Sequence, residues 1–349
     1  MVPILLAFWW LDAWLTDDGR AGWERNTVRN SLARFENDTK ARVAIMGSST
    51  SKDWLPESFL EQLLGLKRGD VIDAHINGCH QDCTWAEVQR IRQIHQQKRC
   101  RQTGKNPCDP TTEKRYHQVF FGTNLFQLCE NAHSKRSLQH VMMTPASELP
   151  SLFGIYLHAD QPLLWMGRYL GIRVSQVYGD TQALRDYWGG RFLGRPRAGK
   201  AHLWYRAQAP AKAPEILSCG YSEDEVALKR AFTEDLLDDL GELADEVFVM
   251  LLPDRTLGLD DPEHRRRWAA HRALHAELAA TRPWVTLVDL ATDGVSDPKL
   301  FRDGFHLSDA GIPLQRALFE RRLRELGVAK GAPAKAAPAK AAPATGAPK

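Results

Sequence analysis

Five short apolar runs punctuate the chain: Ala41–Met46 (ARVAIM), Val71–Ile76 (VIDAHI), Gln118–Phe121 (QVFF), Val247–Leu252 (VFVMLL) and Trp284–Leu290 (WVTLVDL). Runs this short and near-continuously apolar fit strands buried on both faces better than helices. Most of the gaps carry helical periodicity, over Thr84–Gln97, Ser222–Leu243, Pro262–Ala280 and Ser308–Leu326. Ser222 and Glu225 form an S-x-x-E capping box at the start of the second of these helices. Five strands alternating with helices predict an α/β protein built on a doubly wound, mostly parallel five-stranded sheet. Leu125–Tyr221 breaks the rhythm. It is too long for one crossover and carries aromatic, partly helical pieces, which predicts a cap inserted after the third strand.

The two ends depart from this pattern. Val2–Leu11 is ten apolar residues, about half the length of a membrane span, with Trp9, Trp10 and Trp14 clustered as at a membrane interface. No basic region precedes the run and no small-residue cleavage site follows it, so it does not read as a secretory signal. Residues 1–18 are read either as the end of a membrane anchor or as a short apolar helix packed on the body. Residues 329–349 repeat Pro, Ala and Lys with no large apolar side chain, and are expected to form an extended, disordered tail. The domain between them spans 40–326, with 125–221 as the insertion.

Charge narrows the partners. The chain has 46 basic and 43 acidic residues; without the four tail lysines the body has 42 against 43. So even a balance gives no electrostatic footprint for nucleic acid, and the expected partner is a small molecule or an uncharged polymer. The six cysteines contain no C-x-x-C pair, which removes a zinc site of the usual spacing. Cys100 and Cys108 bracket a polar turn that suits a disulfide in an oxidising compartment; six reduced thiols are the alternative. No metal or cofactor is called for.

In sheets of this kind ligands bind beyond the carboxyl ends of the strands. Gly47-Ser48-Ser49-Thr50-Ser51 follows the first strand, Asn77-Gly78-Cys79-His80 the second, and Gly122-Thr123-Asn124 the third. Asp303-Gly304-Phe305-His306 follows the fifth after a short loop. A serine, a glycine, an asparagine and an Asp/His pair thus converge on one edge. Each has a task in acyl transfer. A serine hydroxyl attacks a carbonyl only when an imidazole takes its proton, and the imidazole needs a carboxylate to hold its tautomer. The tetrahedral oxyanion needs preorganised donors, which the Ser49 and Gly78 N–H groups and the Asn124 amide can supply. Neither G-x-G-x-x-G nor G-x-x-x-x-G-K-[ST] follows the first strand, which sets nucleotide binding aside.

VAIMGSSTS, Asn77-Gly78, FFGTN at 120–124 and DGFHLSDAG at 303–311 resemble, in order, the four blocks of the SGNH (GDSL-type) hydrolase superfamily. The resemblance covers roughly 40–128 and 245–326. It implies a flavodoxin-like three-layer sandwich, with Ser49 as nucleophile, Asp303 and His306 as acid and base, and Ser49, Gly78 and Asn124 lining the oxyanion hole. The family's usual Asp before the serine is Ser48 here, and Leu125 stands where Asp is common after the asparagine. The first departure is shared with an envelope branch in which a hydrophobic anchor precedes a G-S-S block. That branch implies an esterase or O-acyltransferase of acylated cell-envelope carbohydrate, periplasmic or otherwise extracytoplasmic, with a membrane-bound acyl-export partner.

Blander readings exist for each residue. Ser48, Ser49, Thr50 and Ser51 suit a helix cap, and a one-residue slip would make Ser48 the nucleophile. Asp303 and Asn124 suit turns, and His306 an ordinary loop histidine. His75 and His80 are not read as ligands, and Cys79 is read as a small packing residue. His264, His271 and His275 fall on an Arg-rich helix and are expected on its solvated face. Trp165, Tyr169, Tyr187, Trp188, Trp204 and Tyr205 either bind substrate or pack the insertion onto the sheet. At the level of function, the rivals are a soluble esterase of small or lipid esters and a non-enzymatic polysaccharide-binding scaffold.

Overall fold

A computed structural model of the chain describes residues 32–38, 40–76, 81–103, 115–125, 144–159, 161–174, 223–258, 261–292 and 296–330. Five strands form one sheet: β1 (Val43–Gly47), β2 (Val71–Asp73), β3 (Tyr116–Thr123), β4 (Ala244–Leu251) and β5 (Val285–Asp289). Their order is β2-β1-β3-β4-β5 and every pairing is parallel. The reading of an open parallel α/β sheet holds, with each strand inside or within a few residues of its predicted run.

The helices are α1 (Ser49–Lys52), α2 (Glu57–Leu64), α3 (Gln81–Thr103), α4 (Leu149–Tyr156), α5 (Pro162–Val174), α6 (Glu223–Leu243), α7 (Pro262–Ala280) and α8 (Gly311–Glu325). Alternation along the strands divides the core. Ala44, Met46, Val119, Phe121, Val247, Val249 and Leu251 face one side, packed by α3, α4, α6 and α7. Val43, Ile45, Phe120, Phe248 and Met250 face the other, packed by α2 and α8. Phe120 stacks on Phe248 with ring centroids 4.8 Å apart and meets Phe319 of α8 edge-on. Strands buried on both faces are what a continuous apolar run requires. This is the flavodoxin-like three-layer arrangement.

The described part of the insertion, α4 and α5, packs on the α3 and α6 side. Leu152, Ile155, Tyr156 and Tyr169 join that core. Tyr169 is buried against Phe153, and Trp165 stacks on Tyr156, so these two aromatics pack α5 onto α4, whose Tyr156 meets Phe232 of α6 edge-on. Tyr187, Trp188, Trp204, Tyr205 and the Ser222 capping box lie outside the described residues, as does the apolar N-terminal segment. Among the described residues no helix is long and apolar enough to cross a membrane.

Two expectations are corrected and one open alternative is decided. His264, His271 and His275 are buried, not solvated, on the face of α7 that carries Trp268. The arginines of α7 mask this face in the sequence, because a helix of low mean hydropathy still buries whichever stripe meets the sheet. Residues 329 and 330, expected in the tail, are packed on the body. Ala329 is buried and Lys330 N–H donates to the Leu63 carbonyl at 2.9 Å. Of the two alternatives open for the cysteines, the described ones, Cys83 and Cys100, take the disulfide; Cys108 lies outside the described residues. Cys83 and Cys100 lie ~25 Å apart along α3 at 1.5 Å per residue, so they do not bond each other.

Candidate active site

β1 ends in a turn that only glycine permits. Gly47 has φ +127°, and a Cβ there would come 2.7 Å from the Gly122 carbonyl oxygen on the neighbouring strand. The chain then enters α1, capped by Ser48, whose Oγ accepts from Thr50 N–H at 3.4 Å and lies 2.8 Å from Thr50 Oγ1. Ser48, Thr50 and Ser51 are buried by this turn, whereas Ser49 keeps partial exposure. The capping reading is therefore correct for Ser48, and the same geometry leaves Ser49 as the serine turned outward.

Ser49 Oγ lies 2.8 Å from His306 Nε2. His306 Nδ1–H donates to Asp303 Oδ2 at 2.7 Å, which leaves Nε2 as the acceptor for the serine proton. Asp303 Oδ1 accepts from the N–H groups of Phe305 and His306 at 3.0 and 2.8 Å, so the carboxylate is a turn residue and the partner of His306 together. Partial desolvation would raise this carboxyl. The His306 hydrogen bond and charge, with the two backbone donors, outweigh it and hold Asp303 below the ordinary carboxylate value.

The loop carrying the pair is tied at its base. Phe301 and Leu307, both buried, form an antiparallel bridge, and Arg302 N–H donates to the His306 carbonyl at 2.9 Å. Arg255 N–H holds the Gly304 carbonyl at 2.9 Å, and Arg302 pairs with Asp53 just beyond α1. Phe305 lies against the His306 ring, centroids 4.6 Å apart. These ties restrict the imidazole to the side of the sheet edge where Ser49 emerges.

Asn124 is fully buried immediately after β3, at the same edge. Leu125, where the resemblance expects a carboxylate, packs with Trp268 and Ala291. Gly78 and Cys79 lie outside the described residues. The structure thus brings Ser49, His306 and Asp303 into one hydrogen-bonded chain and sets Asn124 at the same end of the sheet. Among the described residues no group of three or more His, Cys, Asp or Glu is arranged to hold a metal ion.

One feature was missed by the sequence reading. Ser51 Oγ lies 2.8 Å from His75 Nε2, and His75 Nδ1–H donates to Asp73 Oδ1 at 2.7 Å. The sequence reading excludes His75 only as a ligand. The signal available was the Asp-x-His spacing at the end of a strand, beside a buried serine two positions after Ser49.

No family model matches the chain, and no curated protein matches it. A solved chain from Streptococcus pneumonia, provisionally described as a platelet activating factor, is similar at 12% identity and a TM-score of 0.37. The match covers 92% of this chain and 98% of that one. A likeness of that depth carries nothing about activity.

Proposed function

We propose that the protein is a serine esterase or O-acyltransferase of the SGNH type. The observation that carries this reading is the chain Ser49 Oγ, His306 Nε2 and Nδ1, Asp303 Oδ2, with steps of 2.8 and 2.7 Å. In this reading Ser49 Oγ attacks the carbonyl carbon of an ester while His306 Nε2 takes its proton. The carbonyl oxygen gains the negative charge and is held by the Ser49 N–H, Gly78 N–H and Asn124 amide. Collapse breaks the ester C–O bond, and the leaving alkoxide takes the proton from His306. Water or an acceptor hydroxyl then attacks the acyl-Ser49 ester, giving its proton to His306, which returns it to Ser49 Oγ. Hydrolysis and transfer differ only in which hydroxyl arrives.

The substrate we favour is acylated cell-envelope carbohydrate, with an extracytoplasmic location and a membrane-bound acyl-export partner. The near-neutral body supports an uncharged polymer, and the oxidised Cys83 and Cys100 support an oxidising compartment. The test is labelling by a serine-reactive fluorophosphonate. Ser49→Ala is expected to abolish both labelling and turnover of an activated acetyl ester, while Ser48→Ala keeps most of each. Labelling that survives Ser49→Ala and disappears in Ser48→Ala would overturn the assignment.

A further inference from the structure

Beneath the Ser49 turn lies the second hydrogen-bonded chain, Asp73–His75–Ser51. Ser51 is wholly buried and His75 nearly so, which denies Ser51 Oγ to any substrate and excludes it as a second nucleophile. Its place is nonetheless specific. A Cβ on Gly122 would come 2.8 Å from Ser51 Oγ, and one on Gly47 3.3 Å, so two glycines on adjacent strands leave the room this hydroxyl occupies. Ser51 Oγ lies 2.8 Å from His75 Nε2 on one side and 3.2 Å from the Ser48 carbonyl oxygen on the other.

A hydroxyl has one proton and donates once. With Nδ1–H given to Asp73 and Nε2 unprotonated, the Ser51 proton goes to His75, and the hydroxyl bond to the Ser48 carbonyl is lost. With Nε2 also protonated, His75 donates to Ser51 Oγ and Ser51 donates to Ser48. All partners are then satisfied, as a buried polar group requires. The arrangement at Ser51, whose hydroxyl donates to the Ser48 carbonyl, is the second of these. Asp73 accepts from His75 N–H as well as from the ring, and its other carboxylate oxygen faces Arg34 at 3.9 Å. Burial pushes the Asp73 carboxyl up, but the bonds and charge from His75 outweigh it, and the carboxyl is held at about 2. Glu57 is committed to the Asp73 N–H at 2.8 Å.

The Ser48 carbonyl and the Ser49 N–H belong to one peptide plane. A hydrogen bond to that carbonyl both fixes the plane and polarises its N–H, the donor offered to the reacting oxygen. We infer that Asp73, His75 and Ser51 are positioning residues, a relay that orients and strengthens the Ser49 N–H in the oxyanion hole. This rests on the ester-transfer reading above.

The test is the steady-state kinetics of an activated acetyl ester. Losing an oxyanion donor outright costs ~10²–10³ in kcat, and weakening one is expected to cost ~10-fold with KM nearly unchanged. Ser51→Ala, which removes one oxygen atom, and His75→Ala are each expected to show that loss, and together no more than either alone. His75→Gln, whose amide N–H can replace Nε2–H toward Ser51, is expected to restore most of kcat. Wild-type kcat in Ser51→Ala overturns the relay, as does a His75→Gln variant no better than His75→Ala. A fall in melting temperature that parallels the loss of kcat in every variant, Gln included, overturns it in favour of packing. Ser49→Ala run alongside separates the two readings: turnover that survives in it removes the esterase assignment itself. An inactive Ser49→Ala beside an unimpaired Ser51→Ala removes the relay alone.

Discussion

Ser49 Oγ and His306 Nε2 are 257 positions apart in the chain and 2.8 Å apart in the fold. Two different strands deliver them, β1 into α1 and β5 into the tied loop at 301–307. Their meeting depends on the parallel order of the sheet, which puts every strand's carboxyl end at one edge.

That dependence predicts non-additivity. His306→Ala is expected to lower kcat nearly as far as Ser49→Ala, and the double variant no further, because each loss disables the same proton transfer. Asp303→Asn keeps an oxygen for the two backbone donors but turns an amide toward His306 Nδ1, favouring the wrong tautomer. A loss of about 10³-fold or more in kcat is expected. Losses that multiply across the three sites would contradict a single unit.

The turn that exposes Ser49 predicts a stability effect. Gly47→Ala forces a side chain into a positive-φ conformation and against the Gly122 carbonyl, and is expected to cost ~2–4 kcal/mol in denaturant unfolding. Gly154→Ala, in a helix with open space around it, is expected to be neutral or stabilising by up to ~1 kcal/mol. Equal effects at the two positions would show that the Gly47 turn is relaxed.

A pH dependence follows from Asp254, just after β4. Burial raises its carboxyl to about 6, against the lowering by bonds from Thr256, Leu257 and Trp268. The folded protein then holds this proton more tightly than the unfolded chain, whose carboxyl titrates near 3.8. The stabilising contribution is full below about pH 4 and is lost as pH rises through about 6, a difference of order 3 kcal/mol. Asp254→Asn should remove that slope, read as the wild-type minus variant unfolding free energy across pH 4 to 7. A flat difference would contradict the raised carboxyl.

For the insertion, the packing role of the described aromatics predicts joint losses. Tyr169→Ala is expected to lower stability by ~3–5 kcal/mol, in the range of large buried aromatic truncations. It should also depress turnover of a small acetyl ester and of an acylated polymer together. A raised KM for the polymer alone would return Tyr169 to the substrate side.

Much of this was legible in the residues themselves. Apolar runs such as VFVMLL demand burial on both faces, and helical periods between them leave a parallel sheet as the arrangement that satisfies every run. The positions of Ser49 and Asn124 just after their strands then follow from where each strand must stop, and Asp303 and His306 lie in the loop region beyond the fifth. Gly47 stands in the block quoted after the first strand, but what makes it obligatory is the Gly122 carbonyl on the neighbouring strand.

Other properties exist only once distant segments are packed. Ser48, Ser49 and Ser51 are chemically alike in the sequence, and the turn alone decides which is exposed, which caps and which is buried under His75. The histidines of α7 lie among arginines, so local composition points to water. The sheet buries them because it meets that one stripe of the helix. Asp73 and His75 form a pair by local spacing, but their serine comes from another strand's end, brought within reach by the register of β1 against β2. Pattern along a chain fixes what each segment must bury; which polar groups then face one another is set by strand order, register and the hand of the crossovers between them.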